Sequence, residues 1–120
     1  MLAGPNFAAL TTLGPDGAPS THVMWVDADG DHVLLNTEVH RQKYKNVQRD
    51  PRVAVTIIDR ADPYRYVEVR GRVVGTVAGD EARAHIDRLS QKYTGGLYTN
   101  PIGSERVILR VEPERVVDRT

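Results

Sequence analysis

The chain has 120 residues and no cysteine, a length typical of one domain, and the missing cysteine excludes disulfides and thiolate metal sites. Its 16 basic residues equal its 16 acidic residues, whereas nucleic-acid-binding domains are usually strongly basic. No apolar segment approaches the roughly 20 residues that cross a bilayer, and the first residues do not resemble a signal peptide. The sequence therefore predicts one cytoplasmic domain over residues 1–120, with no nucleic-acid or membrane partner.

Short runs rich in Val, Ile and Thr, bounded by Gly, Pro or Asp, predict that most of the chain forms strands. The first is Phe7 to Leu13, and the following Gly14-Pro15-Asp16-Gly17 suits a type I turn. The second strand is about Ala18 to Asp27. Asp29-Gly30 then predicts a two-residue type I′ hairpin turn, which leads into a third strand at about His32 to Asn36.

The middle of the chain alternates between helical and extended patterns. We expect a short helix over His40 to Arg49, which ends before Asp50-Pro51 because the residue preceding a proline avoids the α region. A fourth strand at Arg52 to Asp59 has Val53, Val55 and Ile57 on one face, and a long fifth strand covers Tyr64 to Val77.

A second helix is expected after Asp80, which is a plausible N-cap residue. Its apolar stripe has helical spacing and consists of Ala82, Ile86, Leu89 and Tyr93. Gly95-Gly96 ends this helix. Ser104 to Glu112 predicts a sixth strand, and Arg115 to Arg119 a seventh beyond Pro113.

Six or seven closely spaced antiparallel strands with two short helices favour a β-barrel, which removes exposed sheet edges. On the second strand, Val23 and Trp25 point to one side and Met24 and Val26 to the other. Both faces are therefore apolar. We expect a cover over the outer face, either a dimer partner or a flat aromatic ligand.

The usual catalytic and metal-binding motifs are missing from the sequence. No serine lies in a G-x-S-x-G motif, and no glycine-rich phosphate loop is present. The four histidines have no metal-ligand spacing. No metal site is predicted, and the sequence identifies no catalytic residue.

Basic residues concentrate after the third strand. The segment from Thr37 to Arg49 has one acidic residue, Glu38, and four basic residues: Arg41, Lys43, Lys45 and Arg49. Because the cluster begins a helix, free N–H groups and the helix dipole favour a phosphate there, and arginine adds a bidentate fork. A solvated helix face is the alternative interpretation.

Several other residues have both a structural and a ligand-binding interpretation. Tyr64, Arg65 and Tyr66 are either ordinary strand residues or a stacking and cationic edge for a planar ligand. Trp25 and Met24 suit either the core or a ligand wall.

The chain resembles the pyridoxamine 5′-phosphate oxidase-like split β-barrels, in particular their branch that binds coenzyme F-420. The resemblance covers nearly the whole chain and rests on the segments NFAALTTLGPDGAPSTHVMWVDADGDHVLLNT, HRQKYKNVQRDPRVAVTIID, YRYVEVRGRVVG and LSQKYTG. It implies a homodimeric split β-barrel with two cofactor sites at the interface. Members often carry a helix before the first strand, whereas only Met1 to Asn6 precede it here.

The resemblance also implies a set of cofactor-binding residues. Arg41 and Lys43 match the basic pair that holds the cofactor phosphate, and Asn36 and Thr37 match the strand end beside the ribityl chain. The strand along the flat ring system corresponds to His22, Val23, Met24 and Trp25. The segment that lines the site, across the dimer interface, corresponds to Tyr64, Arg65 and Tyr66.

By the same resemblance, the protein is expected to be an F-420-dependent reductase. It would transfer a hydride from reduced deazaflavin to a conjugated C=C or C=N acceptor, biliverdin-like tetrapyrroles being one candidate. Two alternatives stay open: an FMN-binding protein of the same fold, and a non-catalytic cofactor carrier or haem-binding module. Further cations beyond the phosphate, such as Lys45 or Arg65, would favour F-420 over FMN.

Overall fold

The computed structural model describes residues 1–120, the whole chain. The elements in chain order are β1 (Phe7–Leu13), β2 (Pro19–Met24), β3 (Asp27–Asp29), β4 (His32–Glu38), α1 (Gln42–Arg49), β5 (Arg52–Ile58), β6 (Tyr66–Ala78), α2 (Asp80–Thr94) and β7 (Arg106–Asp118). The seven strands form one sheet in the order β2-β1-β5-β6-β7-β4-β3, and every neighbouring pair is antiparallel. The predicted fold class is confirmed. Neither helix has the length and apolar character that spanning a membrane requires.

The sheet curls because its two edge strands are consecutive in the chain. β2 and β3 lie at opposite ends of the strand order, yet only Trp25 and Val26 separate them. The two edges therefore meet at this corner without forming a continuous ladder, which makes the barrel split. The prediction of one strand over residues 18–27 is wrong, because the chain changes from one edge of the sheet to the other at Trp25.

The end of α2 fastens this corner. The buried Val26 donates its N–H to the Tyr93 hydroxyl at 3.1 Å and accepts from Lys92 Nζ at 2.6 Å. The same hydroxyl donates to the carbonyl of Asn6, which precedes β1. Both backbone polar groups of a buried residue are thus satisfied by one helix.

The core follows the period-two pattern of the strands. Val53, Val55 and Ile57 of β5 are all buried, as predicted. The main cluster draws on five strands, α1 and the corner residue Val26, and comprises Ala8, Leu10, Val26, Val33, Leu35, Val47, Val53, Val55, Ile57, Val69, Val107, Leu109 and Val111. The α2 stripe is confirmed as well, with Ala82, Ile86 and Leu89 buried.

Two turns were predicted, and one has the predicted form. The Gly17 N–H donates to the Gly14 carbonyl at 2.9 Å, and neither central residue, Pro15 or Asp16, has the positive φ that the other common turn types need, so the turn agrees with type I. The second loop is Gly30-Asp31, since Asp29 pairs with His32. Only Gly30 has a positive φ, 58°, and a type I′ turn needs two such residues. The predicted type I′ turn is therefore wrong.

The predicted break between a sixth and a seventh strand is also wrong, because β7 continues through Pro113. Pro113 faces Gly71 at a register shift in the β6–β7 ladder. A proline is tolerated in a ladder at such a bulge, where no partner needs its missing N–H. Gly71 permits the close approach, since a Cβ there would overlap the Glu112 carbonyl oxygen.

Helix boundaries differ slightly from the predictions. The N-cap of α2 is Gly79 with φ 74°, so Asp80 is the first helical residue and not the cap. Its carboxylate still suits the positive end of the helix dipole. The end of α2 at Gly95, φ 80°, agrees with the prediction. The first helix starts at Gln42 and not at His40.

Candidate functional site

A groove with a volume of about 410 Å³ lies beside the corner between β2 and β3. Its volume falls within the range of small-molecule sites, about 300–1,000 Å³. It is lined by Phe7, Val23, Met24, Trp25, Asn36, Thr37, Arg41, Lys43, Ile86, Leu89, Tyr98, Asn100 and Arg106. The groove therefore joins the corner, the end of β4, the start of α1, one face of α2 and the start of β7.

One wall of the groove is apolar and aromatic. Trp25 stacks on Tyr93 with ring centroids 5.2 Å apart and planes inclined by 10°, and Tyr98 meets the indole edge-on at 6.2 Å. Val23 is 73% exposed beside them. Stacked rings of this kind form a flat surface on which a planar ligand can lie.

The opposite end of the groove is cationic. Lys43 is half-buried and forms no ion pair with an acidic side chain. Two further cations, Arg41 and Arg106, line the same end of the groove. Burial and the charges of those two arginines lower the pKa of Lys43 below its ordinary value. An ammonium in this position would be stabilised by an anion placed among the three cations.

A single buried carboxylate accompanies these cations. Glu38 Oε1 accepts the N–H groups of Gly103 at 2.7 Å and Ser104 at 3.0 Å. Its Oε2 lies 3.8 Å from Arg41 Nη2 and 3.7 Å from Arg106 Nη1. Burial alone would raise the pKa of Glu38, but these N–H groups and the nearby Arg106 charge lower it. One anion for three cations leaves a surplus of positive charge.

The start of α1 adds to this positive potential. Its N-cap, Arg41, makes no side-chain cap hydrogen bond, and the first turn has no acidic residue. The first N–H groups of a helix have no partner within it, and the helix dipole is positive at this end. An anion is the partner that such a helix start favours.

Arg106 is held from behind by β4. Its Nε donates to Asn36 Oδ1 at 2.8 Å, and its guanidinium lies 5.3 Å from the centroid of the Tyr98 ring. Only 8% of Arg106 is exposed. The guanidinium is therefore fixed by an amide and an aromatic ring while it lines the groove.

The structure brings together seven of the eleven residues predicted for the site: Val23, Met24, Trp25, Asn36, Thr37, Arg41 and Lys43. His22 is exposed just before this wall. The small part of the ring that is buried, and then the Lys43 ammonium, lower the pKa of His22.

The remaining predicted residues lie outside the groove of the single chain. Tyr64 is 87% exposed, and β6 begins only at Tyr66. Arg65 forms an ion pair with Asp59, whose Oδ2 lies 3.7 Å from Arg65 Nε. Lys45 is exposed on α1 and does not line the groove either. That residues 64–66 reach the site of a partner subunit stays a prediction.

Sequence reasoning did not assign six of the lining residues to the site: the apolar Phe7, Ile86 and Leu89, and the polar or aromatic Tyr98, Asn100 and Arg106. A signal for Arg106 was present, because an arginine that opens a strongly apolar strand needs a polar partner. The partner depends on strand pairing, which places Arg106 opposite Glu38. Tyr98 and Asn100 lie in a loop that carries no such signal.

The curled sheet and its groove, apolar on one side and cationic at one end, define a split-barrel domain with a candidate small-molecule site. The chain belongs to the pyridoxamine 5′-phosphate oxidase family, whose model matches residues 1–119. No curated protein matches the chain.

Several solved structures are similar to this chain. An F420 reductase shares 37% identity over 97% of this chain and 92% of its own, with a TM-score of 0.85. Rv2991, a conserved hypothetical protein from Mycobacterium tuberculosis, shares 29% identity over 92% of this chain and 74% of its own, with a TM-score of 0.72. A Listeria innocua protein named for pyridoxamine 5′-phosphate oxidase, at 19% identity, shares the fold (TM-score 0.68; 93% of this chain and 86% of its own).

Proposed function

We propose that this protein is an F-420-dependent oxidoreductase that transfers a hydride from reduced deazaflavin to a conjugated C=C or C=N group of a small acceptor. The observation that carries the proposal is the half-buried Lys43, which has no acid partner and lies among Arg41 and Arg106. The 37% identity with an F420 reductase over nearly the whole chain supports the same cofactor.

The residues of the groove suit a planar molecule with an anionic tail. The flat ring system would lie along Val23, Met24 and Trp25, and the phosphate would lie between Arg41 and Lys43. Arg106 supplies a third cation for a tail that continues beyond the phosphate. The apolar wall and the cationic end belong to one groove, so a single molecule can contact both.

The groove is suited to orienting a reaction more than to acid–base chemistry. Reduced deazaflavin supplies the hydride when it is bound. The lining side chains include no carboxylate and no histidine, so the protein contributes orientation of the two reactants and exclusion of water. Biliverdin-like tetrapyrroles remain one candidate acceptor.

Titration of the purified chain with F-420 and with FMN, side by side, tests the cofactor. We expect F-420 to bind more tightly than FMN. Binding is measured by cofactor fluorescence and by the quenching of Trp25, the chain's one tryptophan. Reduced F-420 should then be reoxidised by at least one acceptor in a panel of conjugated C=C and C=N compounds.

Each other outcome overturns part of the proposal. A yellow protein with flavin absorption at about 370 and about 450 nm identifies FMN as the cofactor. Tight F-420 binding without oxidation by any acceptor indicates a carrier. Binding of haem in preference to both cofactors indicates the haem-binding alternative.

Homodimerisation belongs to the same proposal. β2 is a free sheet edge that carries the exposed Val23, and natural proteins usually cover such an edge. Tyr64 would reach the partner's site. Sedimentation should give a dimer, and Tyr64→Ala should weaken cofactor binding. A monomer that binds F-420 with full affinity would contradict this.

A further inference from the structure

A hydrogen-bond network of four polar side chains lies behind the cationic end of the groove. Asp27 Oδ2 lies 3.1 Å from His85 Nε2, and His85 Nδ1 lies 3.0 Å from Asn36 Nδ2. Asn36 Oδ1 then accepts from Arg106 Nε at 2.8 Å. His85 is 1% exposed and Asn36 6% exposed, so water does not compete for the central bonds.

The direction of every hydrogen bond in this network is fixed by which atoms can only donate and which can only accept. Asn36 Nδ2 also faces the Ala82 carbonyl at 2.9 Å, and a carbonyl oxygen can only accept. Arg106 Nε can only donate. The Asn36 amide therefore has one compatible orientation, in which its NH₂ group donates to His85 Nδ1. His85 must then carry its proton on Nε2 and donate it to Asp27.

We propose that His85 is a positioning residue for the anion site, and that it acts through the Asn36 amide to hold the Arg106 guanidinium at the groove. This inference rests on the proposed function, since it assigns to Arg106 an anionic part of the cofactor. His85 itself does not line the groove.

A proton on His85 Nδ1 would break the arrangement. Two donors would then face each other across the contact with Asn36. Rotating the amide by 180° would only move the conflict, because NH₂ would then face Arg106 Nε and oxygen would face oxygen at Ala82. Protonation must therefore displace Asn36 or Arg106, and anion binding at the groove should depend on the charge of His85.

The surroundings of His85 favour its neutral form. Burial lowers the pKa of His85 and Arg88 and Lys92 add to this effect, whereas the Asp27 carboxylate opposes it. The charged groups around the ring and its cleft are Asp27 and Asp29 of β3, Glu81, Arg88 and Lys92 of α2, and Arg110 of β7. The Arg110 charge is already paired with Asp29 at 2.9 Å.

Three variants of the full-length chain separate positioning from packing. His85→Asn keeps an acceptor near the position of Nδ1 but cannot titrate. His85→Leu removes the acceptor and leaves the Asn36 NH₂ without it. His32→Asn, the matched control, changes a histidine whose ring contacts Arg110 and not this network.

Binding of F-420 and of inorganic sulfate is measured from about pH 8 down to about pH 4, because the lowered pKa of His85 extends its titration to the acid side of the range of about pH 5 to 8 in which histidines ordinarily titrate. Sulfate stays dianionic there, and the cofactor's own ionisation cancels between variants. Wild type and His32→Asn should lose affinity as the pH falls, and His85→Asn should lose much less. His85→Leu should bind both anions about tenfold more weakly at every pH, the effect of one buried hydrogen bond.

The outcomes distinguish this inference from the proposed function. If sulfate shows the His85-dependent profile but neither F-420 nor FMN binds, the positioning role stands and the proposed function fails. If F-420 binds with the same pH profile in wild type and His85→Asn, the positioning role fails alone. If neither anion binds, both fail. The ¹⁵N shifts of His85 in wild type should show the neutral Nε2–H tautomer near neutral pH, and the other tautomer would overturn the inference without any variant.

Discussion

The indole of Trp25 stacks on the phenol ring of Tyr93, with centroids 5.2 Å apart and planes inclined by 10°. This pair joins the corner between the two sheet edges to the last turn of α2. It also forms part of the groove wall, because Trp25 lines the groove. The same contact therefore closes the barrel at one point and shapes the surface offered to a ligand.

Tyr93→Phe should destabilise the fold while keeping the stacking. The variant loses the hydroxyl that accepts from Val26 N–H and donates to the Asn6 carbonyl. Leaving a buried N–H without its partner costs about 1–3 kcal/mol. Chemical denaturation measures the change in unfolding free energy. Tyr64→Phe is the control, since Tyr64 is 87% exposed; equal effects in both variants would refute the anchoring role.

The double variant Arg41→Ala, Lys43→Ala should bind F-420 more weakly. Each charge-assisted hydrogen bond that is lost should cost about 1.5–3 kcal/mol. Quenching of Trp25 during titration gives the affinity. Lys45→Ala removes a cation from the same helix outside the groove and should change the affinity little. An unchanged affinity in the double variant would make the cluster a solvated helix face.

Acid should weaken the fold partly through Glu38. Because the folded-state pKa of Glu38 lies below its ordinary value of 4.5, the ionised group stabilises the protein above about that pH. This contribution is lost as the pH falls through the lower folded-state pKa. Thermal melting of Glu38→Gln should therefore vary less with pH in this window. Glu105→Gln, an exposed neighbour, controls for the lost charge, and parallel slopes in wild type and Glu38→Gln would contradict the prediction.

Gly71→Ala should destabilise the β6–β7 ladder. A Cβ at this position would overlap the backbone of Glu112, and such overpacking costs about 1–3 kcal/mol. Gly75→Ala in the same strand is the matched control, since a Cβ there meets nothing within 4 Å and its φ is not positive. Unfolding free energies of the two variants give the comparison. A loss of stability at Gly75 equal to that at Gly71 would show that the close approach is not the cause.

Local sequence patterns predicted the elements well where local chemistry sets the structure. The alternation of Val53, Val55 and Ile57 and the helical spacing of Ala82, Ile86 and Leu89 agree with the burial observed. Predictions failed where long-range contacts decide. Pro113 is accommodated because Gly71 lies opposite it, and the second strand ends at Met24 because Tyr93 and Lys92 hold Val26.

The sequence by itself determined that the chain is mostly strand, that α1 begins with cations and that an apolar strand precedes it. Periodicity, turn residues and charge are properties of neighbouring positions, so they can be read along the chain. Only the tertiary structure decided which cation completes the site and what holds it, because Asn36 is 49 positions from His85 and 70 positions from Arg106. Their meeting depends on β4 pairing with β7 and on α2 packing across that pair.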